Sequence, residues 1–310
     1  MLTLGIDTSN YATSLAVFDT DTASVVYDVK RFLPVKEGQL GLRQSDAVFH
    51  HTLALPALLE ELNAVCSISL AGSIGVSAKP RPAQGSYMPC FLAGLSAAKA
   101  ISLSLKAPLV ETTHQQGHIA AALYACGKPT LFHSETLIFH ISGGTTELLR
   151  CCGSEIMEKA GGSTDLYAGQ AVDRIGVKLG FPFPAGSYMS DLAARCDKSL
   201  TPKTSVRGCE CSFSGLENQC NQLIEKNYPF ETIARYCLDC IAQTVVEMLS
   251  NARKKYPGLP AVCAGGVMSS EVIREYVQKN MEDVYFVPGR FSSDNAIGVA
   301  VLAAGGGYIG

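Results

Sequence analysis

Charge is scarce in this sequence. Asp, Glu, Lys and Arg make up only 17% of the 310 residues, and the formal net charge is −3. That balance argues against broad, sequence-independent binding of nucleic acid by charge alone, although a local basic patch remains compatible with it. Long apolar runs are also missing: Gly, Ser or a charged residue interrupts each stretch well before the ~20 residues that cross a bilayer. The opening Met1-Leu2-Thr3-Leu4-Gly5-Ile6-Asp7 has no basic leader and reads as a first strand, not a signal peptide. The expectation is a cytoplasmic protein with no membrane association. Hydrophobic residues, by contrast, reach 47%, enough for a well-packed globular chain whose length favours two lobes.

Twelve cysteines are present, and their arrangement favours structural roles over a metal or redox site. Cys66, Cys90 and Cys263 stand among apolar neighbours, where Cys acts as a small hydrophobe. Cys237 and Cys240 form a CxxC in a pattern that reads as mid-helix, whereas a redox pair opens a helix and a zinc site needs a second ligand pair. Cys151-Cys152 and Cys209/Cys211 are too closely spaced to supply one.

Short β-rich runs at 2–7, 13–18 and 24–30, separated by turn residues, predict an opening antiparallel meander. Helices are predicted at 46–63, 90–105, from His114 through Tyr124, and at 165–179, 187–196, 231–255, 269–279 and 295–304. Further strands are expected at 73–77, 109–112, 137–142, 145–151, 261–264 and 284–287. Residues 197–215 are polar and irregular and read as a loop, and the final glycines should fray. Gly5-Ile6-Asp7-Thr8-Ser9 and His140-Ile141-Ser142-Gly143-Gly144 look like the same strand–turn–strand unit used twice. Gly85-Ser86-Tyr87-Met88 recurs as Gly186-Ser187-Tyr188-Met189, each with a serine placed to cap a following helix.

The sharpest local signal is His114-Gln115-Gln116-Gly117-His118. An i, i+4 spacing sets two imidazoles on one helix face, as a single divalent metal requires. Gln115 stands where a zinc peptidase would carry its catalytic Glu, so peptidase chemistry is disfavoured. Asp294, at the mouth of a late helix, is a candidate third ligand; the plainer reading is a carboxylate that compensates the helix dipole. Two His and one carboxylate suit iron(II), with zinc less preferred. Glycine pairs at Gly143-Gly144, Gly161-Gly162 and Gly265-Gly266, each expected at a strand or helix edge, favour a nucleotide site with backbone amides turned to an anion. Lys79-Pro80-Arg81-Pro82 forms a rigid cationic loop, equally readable as a stiff connection or as an electrostatic guide for phosphate or RNA.

Taken in order, Gly5-Ile6-Asp7-Thr8-Ser9, His114-Gln115-Gln116-Gly117-His118, Ile141-Ser142-Gly143-Gly144, Ala168-Gly169-Gln170-Ala171-Val172-Asp173-Arg174, Phe183-Pro184-Ala185-Gly186, Ser212-Phe213-Ser214-Gly215-Leu216, Ala264-Gly265-Gly266-Val267 and Ser293-Asp294-Asn295 run nearly end to end. Through them the chain resembles the tRNA threonylcarbamoyladenosine transferases, formerly labelled glycoproteases or sialoglycoprotein endopeptidases. The resemblance implies an α/β, actin-like ATPase fold of two lobes with duplicated ribonuclease-H-like topology. The lobes are expected at 1–112, with the helix at 295–310 returning to the first, and at 113–294, carrying the metal and nucleotide loops.

The same resemblance implies His114, His118 and Asp294 as metal ligands, and His140, Ile141, Ser142, Gly143, Gly144, Asp173, Gly186 and Ser270 as substrate-binding positions, joined by Gly265 and Gly266 from the late loop. It further implies transfer of threonylcarbamoyl from its adenylate to the exocyclic amine of a tRNA adenosine beside the anticodon. One divalent metal and an adenine nucleotide (threonylcarbamoyl-AMP or ATP) are then the cofactors. The partners are tRNA, a smaller non-catalytic relative of the same fold and a P-loop ATPase. Departures from the family pattern are Asn10-Tyr11-Ala12 in place of an acidic pair, Thr145 for His, Ser270 for Asn, and Lys79 and Arg81 for a Gly-Pro-Gly turn. They keep open a degenerate nucleotide-binding scaffold, or a carbamoyltransferase with another acceptor.

Overall fold

The computed structural model describes residues 1–9, 12–34, 42–196, 199–291 and 296–305. Asp294, Asn10 and Tyr11, and the last two residues of the Gly305-Gly306-Gly307 run therefore lie outside the described residues. The chain forms two units. One comprises Met1–Ser134, Gly153–Glu155 and Asp294–Gly310, and the other Glu135–Cys152 and Ile156–Ser293.

The first unit opens with the expected meander, β1 (Leu2–Ser9), β2 (Ala12–Asp19) and β3 (Ser24–Phe32). The turn before β3 is tied by the Asp19 carboxylate, which accepts from Asp21 N at 3.1 Å and Thr22 Oγ1 at 3.0 Å. Next come α1 (Gln44–Val65), β4 (Ala71–Lys79), α2 (Phe91–Leu105), β5 (Leu109–Thr113) and α3 (His114–Ala125). β4 lies parallel to β1 and β5 parallel to β4, so the sheet order is β3-β2-β1-β4-β5. Leu4, Ile6, Leu15, Ile74 and Val76 from the strands meet Leu58 and Leu62 of α1 in a shared core.

The second unit runs β6 (Glu135–Ile141), β7 (Thr146–Cys152), β8 (Glu155–Ser163), α4 (Ala168–Lys178), α5 (Gly186–Ala193), β9 (Val206–Arg207) and β10 (Glu210–Cys211). It continues through α6 (Ser214–Glu225), α7 (Phe230–Lys255), β11 (Ala261–Ala264), α8 (Glu271–Asn280) and β12 (Val284–Phe286). Its sheet order is β12-β11-β6-β7-β8-β10-β9. The run β8-β7-β6-β11-β12 repeats β3-β2-β1-β4-β5, with an antiparallel hairpin beside parallel strands, so the same topology is used twice. Cys237 and Cys240 sit buried in the middle of α7, and none of the twelve cysteines is paired. Contact with Cys220 and burial hold the Cys237 thiol well above its usual range, which keeps it protonated and inert.

The last described helix, α9 (Ala296–Ala303), is almost wholly apolar and returns to the first unit, packing on β1 and α3. Its apolar surface has room there only because the contact residues are small. A Cβ on Gly298 would fall on the Gly117 carbonyl oxygen and lie 2.7 Å from Ala121 N, so the two helix backbones touch.

Four expectations are corrected. The units divide after residue 134 and not after 112, because α3 is packed against α9 and the first sheet; the helix carrying His114 and His118 therefore belongs to the first unit. Gly161 and Gly162 lie near the end of β8, where a Cβ on Gly161 would fall on the Cys209 carbonyl oxygen and one on Gly162 on that of Thr146, so close strand packing and not an anion accounts for the missing side chains. The 197–215 stretch contains the β9–β10 hairpin, and β8 and α6 were not anticipated. Neither Ser86 nor Ser187 caps a helix: Ser86 Oγ accepts from Arg81 N at 3.0 Å, and Ser187 lies inside α5.

Gly298→Ala is expected to wedge α9 from α3 and destabilise the chain by about 3 kcal/mol, the upper part of the usual overpacking range. Thermal unfolding read by circular dichroism checks this; an unchanged Tm would show that the helices do not meet as described.

Candidate functional site

Two constellations occur, one in each unit. In the first, β5 runs directly into α3, whose start is fixed by a capping box. Thr113 Oγ1 accepts from Gln116 N at 3.1 Å, and Gln116 Oε1 accepts from Thr113 N at 3.1 Å. That lock sets the rotation of the first turn and puts His114 and His118 on one face, ring centroids 4.7 Å apart and planes 70° apart.

His114 Nδ1 lies 3.1 Å from the carboxylate of Asp7, a β1 residue only 2% exposed. Burial pushes the Asp7 carboxyl up, but the His114 imidazole and its hydrogen bond, helped by Ser9 N donating at 3.3 Å, outweigh it and hold the group below the usual carboxylate range. An ionised carboxylate only accepts, so Nδ1 carries the proton and Nε2 is the nitrogen with a lone pair to give. A second oriented imidazole one turn away completes a pair whose chemistry fits a divalent metal, with Asp7 as the outer partner that fixes the tautomer. Among the described residues no three His, Cys, Asp or Glu side chains form a metal-holding group. Position 294 lies outside them, although the helix that starts two residues later packs on α3.

In the second unit the turn between β6 and β7 is closed by Ser142 N donating to Thr145 O at 2.8 Å, and Gly144 N reaches Ser142 Oγ at 3.3 Å. The end of β6, with His140 and Ile141, runs beside Gly265. That residue needs φ +103° and has the Ile141 carbonyl where a Cβ would point, so only Gly closes this corner. The β6–β7 turn and the α4, α5 and α8 segments surround a cavity of about 410 Å³ lined by Gly143, Asp173, Gly186, Gly266 and Ser270. Asp173 is positioned by Ala185 N, which donates to Oδ1 at 2.8 Å, and Ser270 Oγ lies 2.8 Å from Ser190 Oγ. His140, Ile141, Ser142, Gly144 and Gly265 shape the corner but do not line the cavity.

Asp191, Ser190 and Gly169 line it as well and escaped the sequence reading. Asp191 lies little more than a turn beyond Gly186 on α5, and that spacing was the available signal. The role of Asp7 was missed too, although a carboxylate inside an apolar strand marks a buried partner.

The loop leading to α4 is held by Asp165. Burial pushes its carboxyl up, but Ser212 Oγ and Ser214 Oγ, each at 2.5 Å, and Phe213 N at 2.9 Å hold it below the usual range. This is why α4 begins at Ala168 and not at 165: Asp165 is spent tying its loop to the start of α6.

The geometry can be set against known proteins. The family described as "TsaD: tRNA N6-adenosine threonylcarbamoyltransferase" matches residues 37–301. The chain belongs to this family. Relatives carrying that name include one from Thermotoga neapolitana, 28% identical over 310 residues with 97% of this chain and 92% of the relative covered. Another, from Thermus thermophilus, is 29% identical over 306 residues, covering 98% and 92%. Family membership makes the chain an enzyme of the transferase class.

Solved structures of similar fold include component A of (R)-2-hydroxyglutaryl-CoA dehydratase from Acidaminococcus fermentans, with TM-score 0.59, 15% identity, and 98% of this chain and 97% of that one covered. A ROK family glucokinase from Streptomyces griseus has TM-score 0.55 and 13% identity, covering 98% and 99%. HypF of T. kodakarensis gives TM-score 0.63 and 13% identity over 99% of this chain and 48% of its own. At such identities they establish the fold, which is the actin-like ATPase fold.

A group whose folded pKa is depressed adds stability above its unfolded value, here 3.8, and loses it as pH falls through the folded value. Asp165→Asn should therefore lower Tm near neutral pH and bring wild type and variant closer as the pH drops below that of a free carboxyl. Melting curves recorded down an acid series test it; a gap between the two proteins that stays constant with pH would refute the assignment.

Proposed function

We propose that the chain transfers a threonylcarbamoyl group from threonylcarbamoyl-adenylate to the N6 amine of the adenosine next to the tRNA anticodon, with one divalent metal, iron preferred over zinc, held by His114, His118 and Asp294. The observation that carries this reading is the His114–His118 pair oriented by Asp7 within a chain of this transferase family. Bound there, the metal supplies Lewis acidity and a fixed positive charge for the threonylcarbamoyl group.

The chain's own residues do the rest. Asp7 keeps the His114 proton on Nδ1 and so fixes which ring nitrogen faces outward. In the second unit, the backbone amides of the Gly143 and Gly266 turns suit the adenylate phosphate, and the Asp173 carboxylate suits ribose hydroxyls, its Oδ1 being held by Ala185 N. Attack of the N6 amine on the carbamoyl carbonyl carbon forms the new C–N bond and breaks the C–O bond to the phosphate. AMP leaves with the bonding pair, and the amine proton passes to solvent.

A cytoplasmic setting and the partnership with a smaller relative of the same fold and a P-loop ATPase follow from the same proposal. No described helix is long and apolar enough to cross a membrane.

His114→Ala and His118→Ala should each remove metal from the purified protein, measured by inductively coupled plasma mass spectrometry. They should also lower transfer to unmodified tRNA at least a hundredfold in a reaction supplied with the adenylate. Full activity in metal-free protein would defeat the reading.

A further inference from the structure

The cationic loop after β4 finds no use in the chemistry above, yet it is built as an ordered feature of the first unit. Arg81 N donates to Ser86 Oγ at 3.0 Å and Ser86 N to Ala83 O at 3.2 Å, which closes the loop into a compact turn. Pro80 and Pro82 fix their own φ angles, so little conformational freedom remains to be lost on binding. The loop is also tied to α3: Gln115 N donates to Pro80 O at 3.0 Å, directly beside His114. Lys79 and Arg81, both exposed, are thus mounted next to the first turn of the histidine helix.

A cavity of about 600 Å³ opens at the same place, lined among others by Lys79, Tyr87, Leu92, Thr112 and Gln116. Tyr87 is 63% exposed and Leu92 47%, so a flat aromatic face and an apolar floor stand open to solvent. The carboxylate at its edge, Glu111, is matched by Lys99 Nζ at 3.4 Å and so adds little repulsion. Cations on a rigid hook, an exposed aromatic ring and a pocket of roughly nucleotide size form the combination that captures unstacked bases of a single-stranded RNA loop. The ring stacks on a base, and the cations meet the flanking phosphates.

We propose that Lys79, Arg81 and Tyr87 form an RNA-docking site on the first unit that takes one splayed nucleotide of the anticodon loop, outside the acceptor position, and so presents the acceptor adenosine near the histidine pair. This rests on the proposed transfer to tRNA and names the surface that receives it. The overall charge of −3 is no objection, because the site needs two local cations and not a basic protein.

The test uses the full chain and unmodified tRNA, with binding read by fluorescence anisotropy across a salt series. Lys79→Gln together with Arg81→Gln is expected to weaken binding roughly tenfold or more and to flatten the plot of log affinity against log salt by roughly one for each cation removed. Tyr87→Ala should weaken binding roughly tenfold with the salt slope unchanged, since stacking releases no counterions. AMP binding, measured by calorimetry, should be the same in all variants. Wild-type affinity and slope in the double variant, or a change in AMP binding of equal size, would overturn the site. Normal tRNA docking with no transfer would instead strike at the proposed reaction and leave the site standing. Absence of tRNA binding by the wild-type chain would remove both.

Discussion

One buried contact organises the first unit: the carboxylate of Asp7 against the imidazole of His114, residues 107 positions apart in the chain. A charge at 2% exposure is tolerable only with partners, and the imidazole of His114 reaches Asp7 only when β1 and α3 come into register. The packing is arranged to make that happen. β1 lies at the centre of its sheet between β2 and β4, the Thr113–Gln116 capping box fixes where α3 begins, and the meeting of Gly298 with Gly117 holds α3 against α9. The contact therefore joins the fold to the chemistry: the tautomer with its proton on Nδ1 is imposed from the core of the sheet.

The second unit solves a different problem with the same strand order. Its cavity has no buried charge comparable to Asp7; it is a hollow framed by glycine turns, serine hydroxyls and the carboxylates of Asp173 and Asp191. The corner at Gly265 is closed by a backbone conformation that other residues rarely adopt, and it brings β11 and β6 close enough for their turns to share one rim. The long helix α7 fills the space behind, with Ile241, Val245 and Leu249 fully buried, so the rim stands on a rigid base.

Much of this was legible in the order of residues. The meander, the His114 helix and the β6–β7 hairpin followed from period-two runs, an i, i+4 pair and a Gly-Gly turn, all local signals. What escaped was set by distant partners. The 155–163 strand, half exposed along most of its length, carries Gly161 and Gly162, which read locally as a nucleotide signal; the approach of Cys209 to the first and of Thr146 to the second shows that they serve strand packing. The start of α4 slipped by three residues because Asp165 answers to Ser212 and Ser214, not to its own helix. The unit boundary was misplaced for the same kind of reason: α3 follows β5 without a break, and its allegiance is decided by α9, far along the chain. In the candidate site the histidines and glycine turns were visible as motifs, whereas Asp7 and Asp191 left only faint signals, an acid inside an apolar strand and a spacing of little more than one turn from Gly186, and their partners became visible only in the fold.

The repeated strand order has an evolutionary corollary. If the two hairpins descend from one ancestral segment, Asp7 and Ser142 occupy matching places after the isoleucines Ile6 and Ile141. One copy has an acid there, which holds an imidazole. Its twin has a hydroxyl followed by two bare glycines. Three differences at a duplicated corner, Asp7-Thr8-Ser9 against Ser142-Gly143-Gly144, thus set a buried carboxylate in one half of the polypeptide and bare glycine backbone in the other.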